Sequence, residues 1–242
     1  MKHGVEIYTN KGSLQLADYL KNYFFIWKEE FYFPTSGSNG FYRYTLESSL
    51  GLGSLMAISA PAPSTIIINS FSVYAGQPII KLLSSVPGQK IEVYYFSEDG
   101  GGQPGKNFEL KNENNEITFS DTDAASVLKV YESINGNLGF SPTSSDHVIH
   151  TFAHGPSIKT AFITGIPSCM EWDDSIAVTC SLHSSFQFNT DSTFFLIKGL
   201  GALGYPVPHN TNRYTYYNPR YSFMLADVTL LDAVWDAWNN SV

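Results

Sequence analysis

Apolar and polar residues alternate with a period of two along most of this chain. Val5-Glu6-Ile7-Tyr8 and Ser13-Leu14-Gln15-Leu16 alternate on either side of Thr9-Asn10-Lys11-Gly12, the pattern of a β-hairpin closed by a Gly-containing turn. Tyr23–Lys28 is too short and too aromatic for a helix and reads as a strand covered on both faces. Further strands are expected at Phe41–Leu46, Leu55–Ser59, Thr65–Ser70, Ile79–Leu83 and Lys90–Phe96, separated by Gly, Pro and Ser at short intervals. Pro61-Ala62-Pro63 is a rigid connector, because proline cannot donate to a ladder.

The texture changes after Phe96. Ser97–Asn107 is rich in Gly and polar residues, and the polar Lys111–Glu116 follows. Residues 101–123 therefore read as a flexible connection between one unit at 1–100 and another at 124–242. Leu128–Tyr131, a turn through Glu132–Gly136 and Asn137–Phe140 match the opening hairpin about 120 residues on, either as a duplication into two related units rather than a solenoid or as the likeness any two hairpins share. Strands are expected in the second unit at Ile158–Ile163, Ser175–Leu182, Ser184–Asn189, Thr193–Ile197 and Tyr221–Val228. Between them Gly199–Arg220 forms a long irregular stretch. The period changes only at the end, where apolar residues at 230, 231, 234, 235 and 238 predict a short amphipathic helix. The expected fold is all-β: two β-sandwich-like units with a short C-terminal helix.

Composition sharpens this picture. Seventeen Phe, 15 Tyr and 4 Trp favour strands, and 15% charged against 43% hydrophobic residues argues against disorder. A net charge of −8 offers no footprint for a phosphate backbone, so nucleic acid is not an expected partner. No run approaches the length of a membrane span, and Met1–Glu6 lacks the apolar core of a signal peptide, so a soluble, cytoplasmically made chain is expected. Cys169 and Cys180 are spaced so that a hairpin could bring them face to face, but two thiols make no disulfide scaffold and reduced, buried thiols are expected.

Candidate chemistry is sparse. His147, His150 and His154 would share a face on a helix and could there hold zinc; on a strand they divide between faces, and no carboxylate or cysteine at ligand spacing completes a site. Asp146 beside His147 lacks a G-x-S-x-G elbow to place a nucleophile, and Asp173-Asp174 reads as an exposed turn. The Gly-rich 100–105 run lacks phosphate-loop spacing. The expectation is no enzyme, no cofactor and no metal. Aromatics are the remaining candidates: Tyr205, Tyr214, Tyr216 and Tyr217 in the long irregular stretch either form a recognition surface or pack over the core of their own unit, and Trp235 and Trp238 either anchor a neighbouring subunit or close the sandwich's open end.

The hairpin Gly4–Leu14, followed by the apolar-aromatic Phe24–Lys28, resembles the opening of uncharacterised proteins encoded among the tail genes of tailed bacteriophages. Residues 128–140 resemble a second copy of that hairpin, departing from it at Val127 and at the inserted Ile134. The resemblance implies a virion structural protein of the tail tip, baseplate or fibre, made in the host cytoplasm. It would assemble with other tail proteins or with copies of itself and contact a host surface glycan or protein. A carbohydrate- or receptor-binding module, a hydrolase of surface polysaccharide and a head decoration protein are the rival readings.

Overall fold

The computed structural model describes residues 4–9, 12–17, 23–37, 42–47, 54–74, 77–98, 107, 109–111, 114–120, 126–137, 147–166, 169–174, 178–189, 191–200, 216–218 and 220–240. The chain is all-β with one short C-terminal helix, α1 (Leu231–Asn239). The opening forms the expected hairpin, β1 (Gly4–Thr9) against β2 (Gly12–Ala17). A second hairpin pairs β9 (Glu109–Lys111) with β10 (Ile117–Ser120) inside the expected flexible connection, its turn carrying Asn115 at φ 64°. Asn tolerates that left-handed conformation better than most residues.

Two antiparallel sheets make the body. Sheet 1 runs in the order β11 (Lys129–Asn137), β18 (Arg220–Asp227), β13 (Thr160–Ile166), β5 (Leu55–Ser59), β8 (Lys90–Ser97), β3 (Phe24–Tyr32). Sheet 2 runs β12 (His147–Phe152), β16 (Ser192–Leu200), β15 (Val178–Phe188), β6 (Ser64–Tyr74), β7 (Gln77–Ser84), β4 (Tyr42–Glu47). Beyond this path β14 (Cys169–Asp174) pairs with β15 and with β17 (Tyr216–Asn218).

Both sheets draw half of this path from each side of residues 101–123. Sheet 1 is joined across the middle by β5–β13, with Ile58 opposite Phe162, and sheet 2 by β6–β15, with Ile66 opposite Phe186. The expected units at 1–100 and 124–242 are therefore not two separate sandwiches; they share both sheets. Pairing between strands about a hundred residues apart leaves no trace in local alternation, which is why the chain pattern suggested a boundary there.

An internal repeat is present, in another register from the one expected. Order β3-β8-β5 in sheet 1 and β4-β7-β6 in sheet 2 recurs as β11-β18-β13 and β12-β16-β15. The first three strands of each set begin 105 residues apart, at 24 and 129, 42 and 147, and 55 and 160. Ladder irregularities recur too, between Phe25 and Trp27 in β3 and between Val130 and Glu132 in β11. The predicted hairpin of 128–140 is corrected by this: Glu132–Gly136 is no turn but the middle of β11, paired along its length with β18. Asn135-Gly136 imitates turn chemistry, yet the glycine serves another purpose. A Cβ there would collide with the Tyr221 ring opposite.

Strand alternation creates two cores. In β8, Ile91, Val93 and Tyr95 face sheet 2 and join Ile58, Leu82, Phe162, Phe186 and Phe223 in the core between the sheets. Tyr94 and Phe96 point the other way and join Phe25, Ala57, Ala161, Ile163 and Leu231 in a second core on the outer face of sheet 1. Each fully buried side chain of this size contributes about 1.5–3 kcal/mol. Small residues at 57, 161 and 226 leave room for α1 to lie over that face. The segments entering the two edge strands of sheet 1 also meet, Phe24 bridging Val127, with Phe25 N–H donating to Ser126 O at 2.7 Å and Leu128 N–H to Tyr23 O at 2.7 Å.

The β14–β15 ladder sets Cys169 opposite His183 and Cys180 opposite Trp172, three rungs apart. The two cysteines do not face each other across the hairpin, and that separation exceeds the reach of a disulfide. No described helix is long and apolar enough to cross a membrane.

Candidate functional site

Among the described residues a dense polar cluster lies where α1 meets sheet 1. Lys28 of β3 places Nζ 2.9 Å from Glu92 Oε1 and 2.7 Å from Asp232 Oδ1. Lys159, entering β13, places its Nζ 2.5 Å from Glu92 Oε2 and 2.5 Å from Asp232 Oδ2. The Tyr94 hydroxyl donates to Asp232 Oδ1 at 2.8 Å, and both ammonium groups lie about 5.5 Å from the Tyr94 ring centre, within cation–π range. Lys90 and Glu30 extend the cluster at the surface, 2.7 Å apart.

Alternation explains the placement. Glu92 shares the outer face of β8 with Tyr94 and Phe96, so a carboxylate sits among apolar neighbours and requires cations. Burial alone would push the Glu92 carboxyl up, but hydrogen bonds from Lys159 and Lys28 hold it below its usual range. Asp232 obeys the same balance, raised by burial yet carried down to about 2 by Lys159, Lys28 and Tyr94. Burial opposes the Lys28 charge, and its bonds to Asp232 and Glu92 outweigh that and hold the ammonium raised. Burial together with the Asp232 bond pushes the Tyr94 phenol upward. Lys28, Lys90 and Lys159 balance Glu30, Glu92 and Asp232, so the cluster is neutral. Each buried charge is spent on a partner inside the chain. Such an arrangement clamps structure; it leaves no free nucleophile or base.

Beside Lys159 a cleft of about 490 Å³ opens between the 60–62 and 156–160 segments, with Phe188 and Thr229 on its walls. Ser59 lines it, but its hydroxyl donates to Thr160 O at 2.7 Å.

The histidines part company. On β12, His150 Nε2 lies 2.9 Å from Glu132 Oε1 of β11, tying the edges of the two sheets together. His154 accepts at Nε2 from the Ser192 backbone N–H at 2.9 Å, with the Ser192 hydroxyl at 2.8 Å, while Nδ1 lies 2.9 Å from Gly155 O. Accepting that N–H makes Nε2 the unprotonated nitrogen and Nδ1 the donor. This is a Ser–His contact without a triad: a carbonyl rather than a carboxylate orients the ring, and Ser192 is fully buried. Among the described residues no three His, Cys, Asp or Glu side chains gather to hold a metal. The His147 side chain lies outside the described residues, as does Asp146.

Trp235 and Trp238 close the outer face of sheet 1 within their own chain. Trp238 stacks on Phe25 at 5.5 Å, and Trp235 meets the edges of Phe25 at 6.2 Å and Trp27 at 4.8 Å. Tyr205 and Tyr214 lie outside the described residues. Tyr216 and Tyr217 fall in β17, where only the backbone is described, opposite Glu171 and Met170 of β14. Asp173 and Asp174 belong to β14, paired with Thr179 and Val178, and not to a turn.

Sequence reading passed over the Lys28–Glu92–Lys159–Asp232 cluster. One signal was available: Glu92 interrupts an otherwise apolar strand, Ile91–Phe96, and so must find a cation. No protein-family model, curated protein sequence or solved structure matches this chain.

Proposed function

We propose that the chain is a non-enzymatic structural protein of a bacteriophage particle, a component of the tail tip, baseplate or fibre that assembles edge to edge with neighbouring proteins. The observation that carries this reading is the apolar surface on the outer strands of the sandwich. Val130 and Tyr131 are exposed on β11, Val148 is 68% exposed on β12, and Trp27 and Tyr32 are exposed on β3. Exposed apolar side chains on outer strands offer a surface for another chain, even where charges such as Glu30 and Lys129 stand beside them. The resemblance of the opening hairpin to phage tail-gene products supports the particle context, and the self-contained polar cluster supports a mechanical rather than a chemical role.

Mass spectrometry of purified particles tests the location: the protein is expected in stoichiometric amount, and its absence from intact particles overturns the reading. Light scattering tests assembly: Val148→Glu together with Tyr131→Glu is expected to reduce association without lowering the melting temperature by more than a few degrees. A glycan-binding reading is favoured by Trp27 and Trp238, whose exposed indoles could stack on sugar rings. Glycan-array binding abolished by Trp27→Ala would establish it.

A further inference from the structure

We propose that α1 is a releasable strap over the outer face of sheet 1, held shut by Asp232 as its catch. A helix of nine residues is too short to persist alone, since isolated helices below about 12–15 residues are marginal in water. Its ends supply little beyond Asp232 in the first turn: Leu230 at the N-cap makes no side-chain capping bond, and the last turn has no basic residue to meet the dipole. What keeps it ordered is therefore its docking. Leu231 is its buried anchor, with Val234 and Trp235 partly buried against the outer core.

Asp232 is the helix's contribution to the polar cluster. It draws together Lys28 on β3, Lys159 at the entrance to β13 and Tyr94 on β8, three separate parts of the sheet. Cutting that one carboxylate loosens the strap from all three at once and leaves two lysines sharing Glu92, with Lys90 and Glu30 adjacent.

Release would spare the sandwich, because no residue of α1 belongs to the core between the sheets. The face uncovered would be Phe25, Tyr94 and Phe96, with the indoles of Trp235 and Trp238 set free. The strap and the sandwich are thus two cooperative layers of different stability, the kind of low-stability element that opens ahead of global unfolding.

Native-state hydrogen exchange on the full chain tests this. In Asp232→Asn, protection of the helix amides from Val234 to Asn240 is expected to fall by at least about tenfold, the effect of unpairing a partly buried charge, while β5 and β13 keep theirs. Acrylamide quenching of tryptophan emission should rise in the same variant. Asp236→Asn makes an equal charge change on the exposed side of α1 and should leave protection unchanged. Should Asp232→Asn fail to fold, Lys159→Met is expected to lower helix protection selectively and by less. Helix protection that is unchanged, that falls only in step with the sheet core, or that falls equally in Asp236→Asn overturns the proposal.

Discussion

Phe162 sits on the seam between the two halves of the chain, and truncating it asks whether they form one structure. It is buried at the centre of β13, opposite Ile58 of β5. Its ring stacks on Phe186 at 3.7 Å and meets the edges of Phe152 and Phe188 at 5.8 and 5.2 Å. Phe162→Ala removes the ring from a close-packed interior and leaves a cavity, which costs about 3–5 kcal/mol. Against a total stability of about 5–15 kcal/mol this is a large fraction of the whole.

If the sheets are shared, the loss is felt everywhere. Urea unfolding should remain one transition with a lower midpoint, coincident by far-ultraviolet circular dichroism and tryptophan emission. Amide protection in β3 and β8 should drop together with that in β13 and β18. A variant whose β3 and β8 amides keep their wild-type protection while β13 and β18 lose theirs would refute the shared-sheet reasoning.

Other expectations follow from particular contacts. Glu92→Gln leaves Lys28 and Lys159 competing for Asp232, and breaking such a buried pair should cost about 3 kcal/mol in urea denaturation near neutral pH. Because the Glu92 and Asp232 carboxyls are held below their ordinary range, their contribution is complete above the unfolded carboxylate pKa and is lost as pH falls through the depressed folded values, about 2 for Asp232. The stability gap between wild type and Glu92→Gln should therefore narrow as the pH is lowered below about 4; a gap independent of pH contradicts the assignment. Gly136→Val forces a branched side chain onto the Tyr221 ring and should cost about 1–3 kcal/mol, read as a lower melting temperature. A smaller cost of Gly136→Val in a Tyr221→Ser background than in the wild type would mark the clash as its cause. Cys169 and Cys180 should both react with maleimide in denatured, unreduced protein, and a protected pair would contradict the β14–β15 register.

Local order was legible in the sequence because local chemistry writes it. Alternation located β1, β2, β5, β7, β8, β13 and β18 to within a few residues, and the 3.6 period located α1. Errors arose where a local cue served a distant purpose. Asn135-Gly136 looked like a turn because nothing nearby shows that Tyr221, on another strand, fills the space a side chain would take. Ser175–Leu182 and Ser184–Asn189 looked like two strands, yet β15 runs unbroken through His183 between them, with Ser184 and Ser185 buried. The repeat was sought in hairpin texture, whereas its real mark is the order of strands within the sheets. Positions 28, 92, 159 and 232 carry no spacing that announces a cluster; pairing across the sheet assembles them.

The claim on which all this rests is that residues on both sides of 101–123 build the same two sheets. Insertion of a protease site within that segment, cleavage of the native protein and gel filtration of the product give the most direct test. The two fragments should co-elute at the size of the intact chain and unfold in a single transition. Separation into two folded fragments, each with its own melting transition, would contradict it.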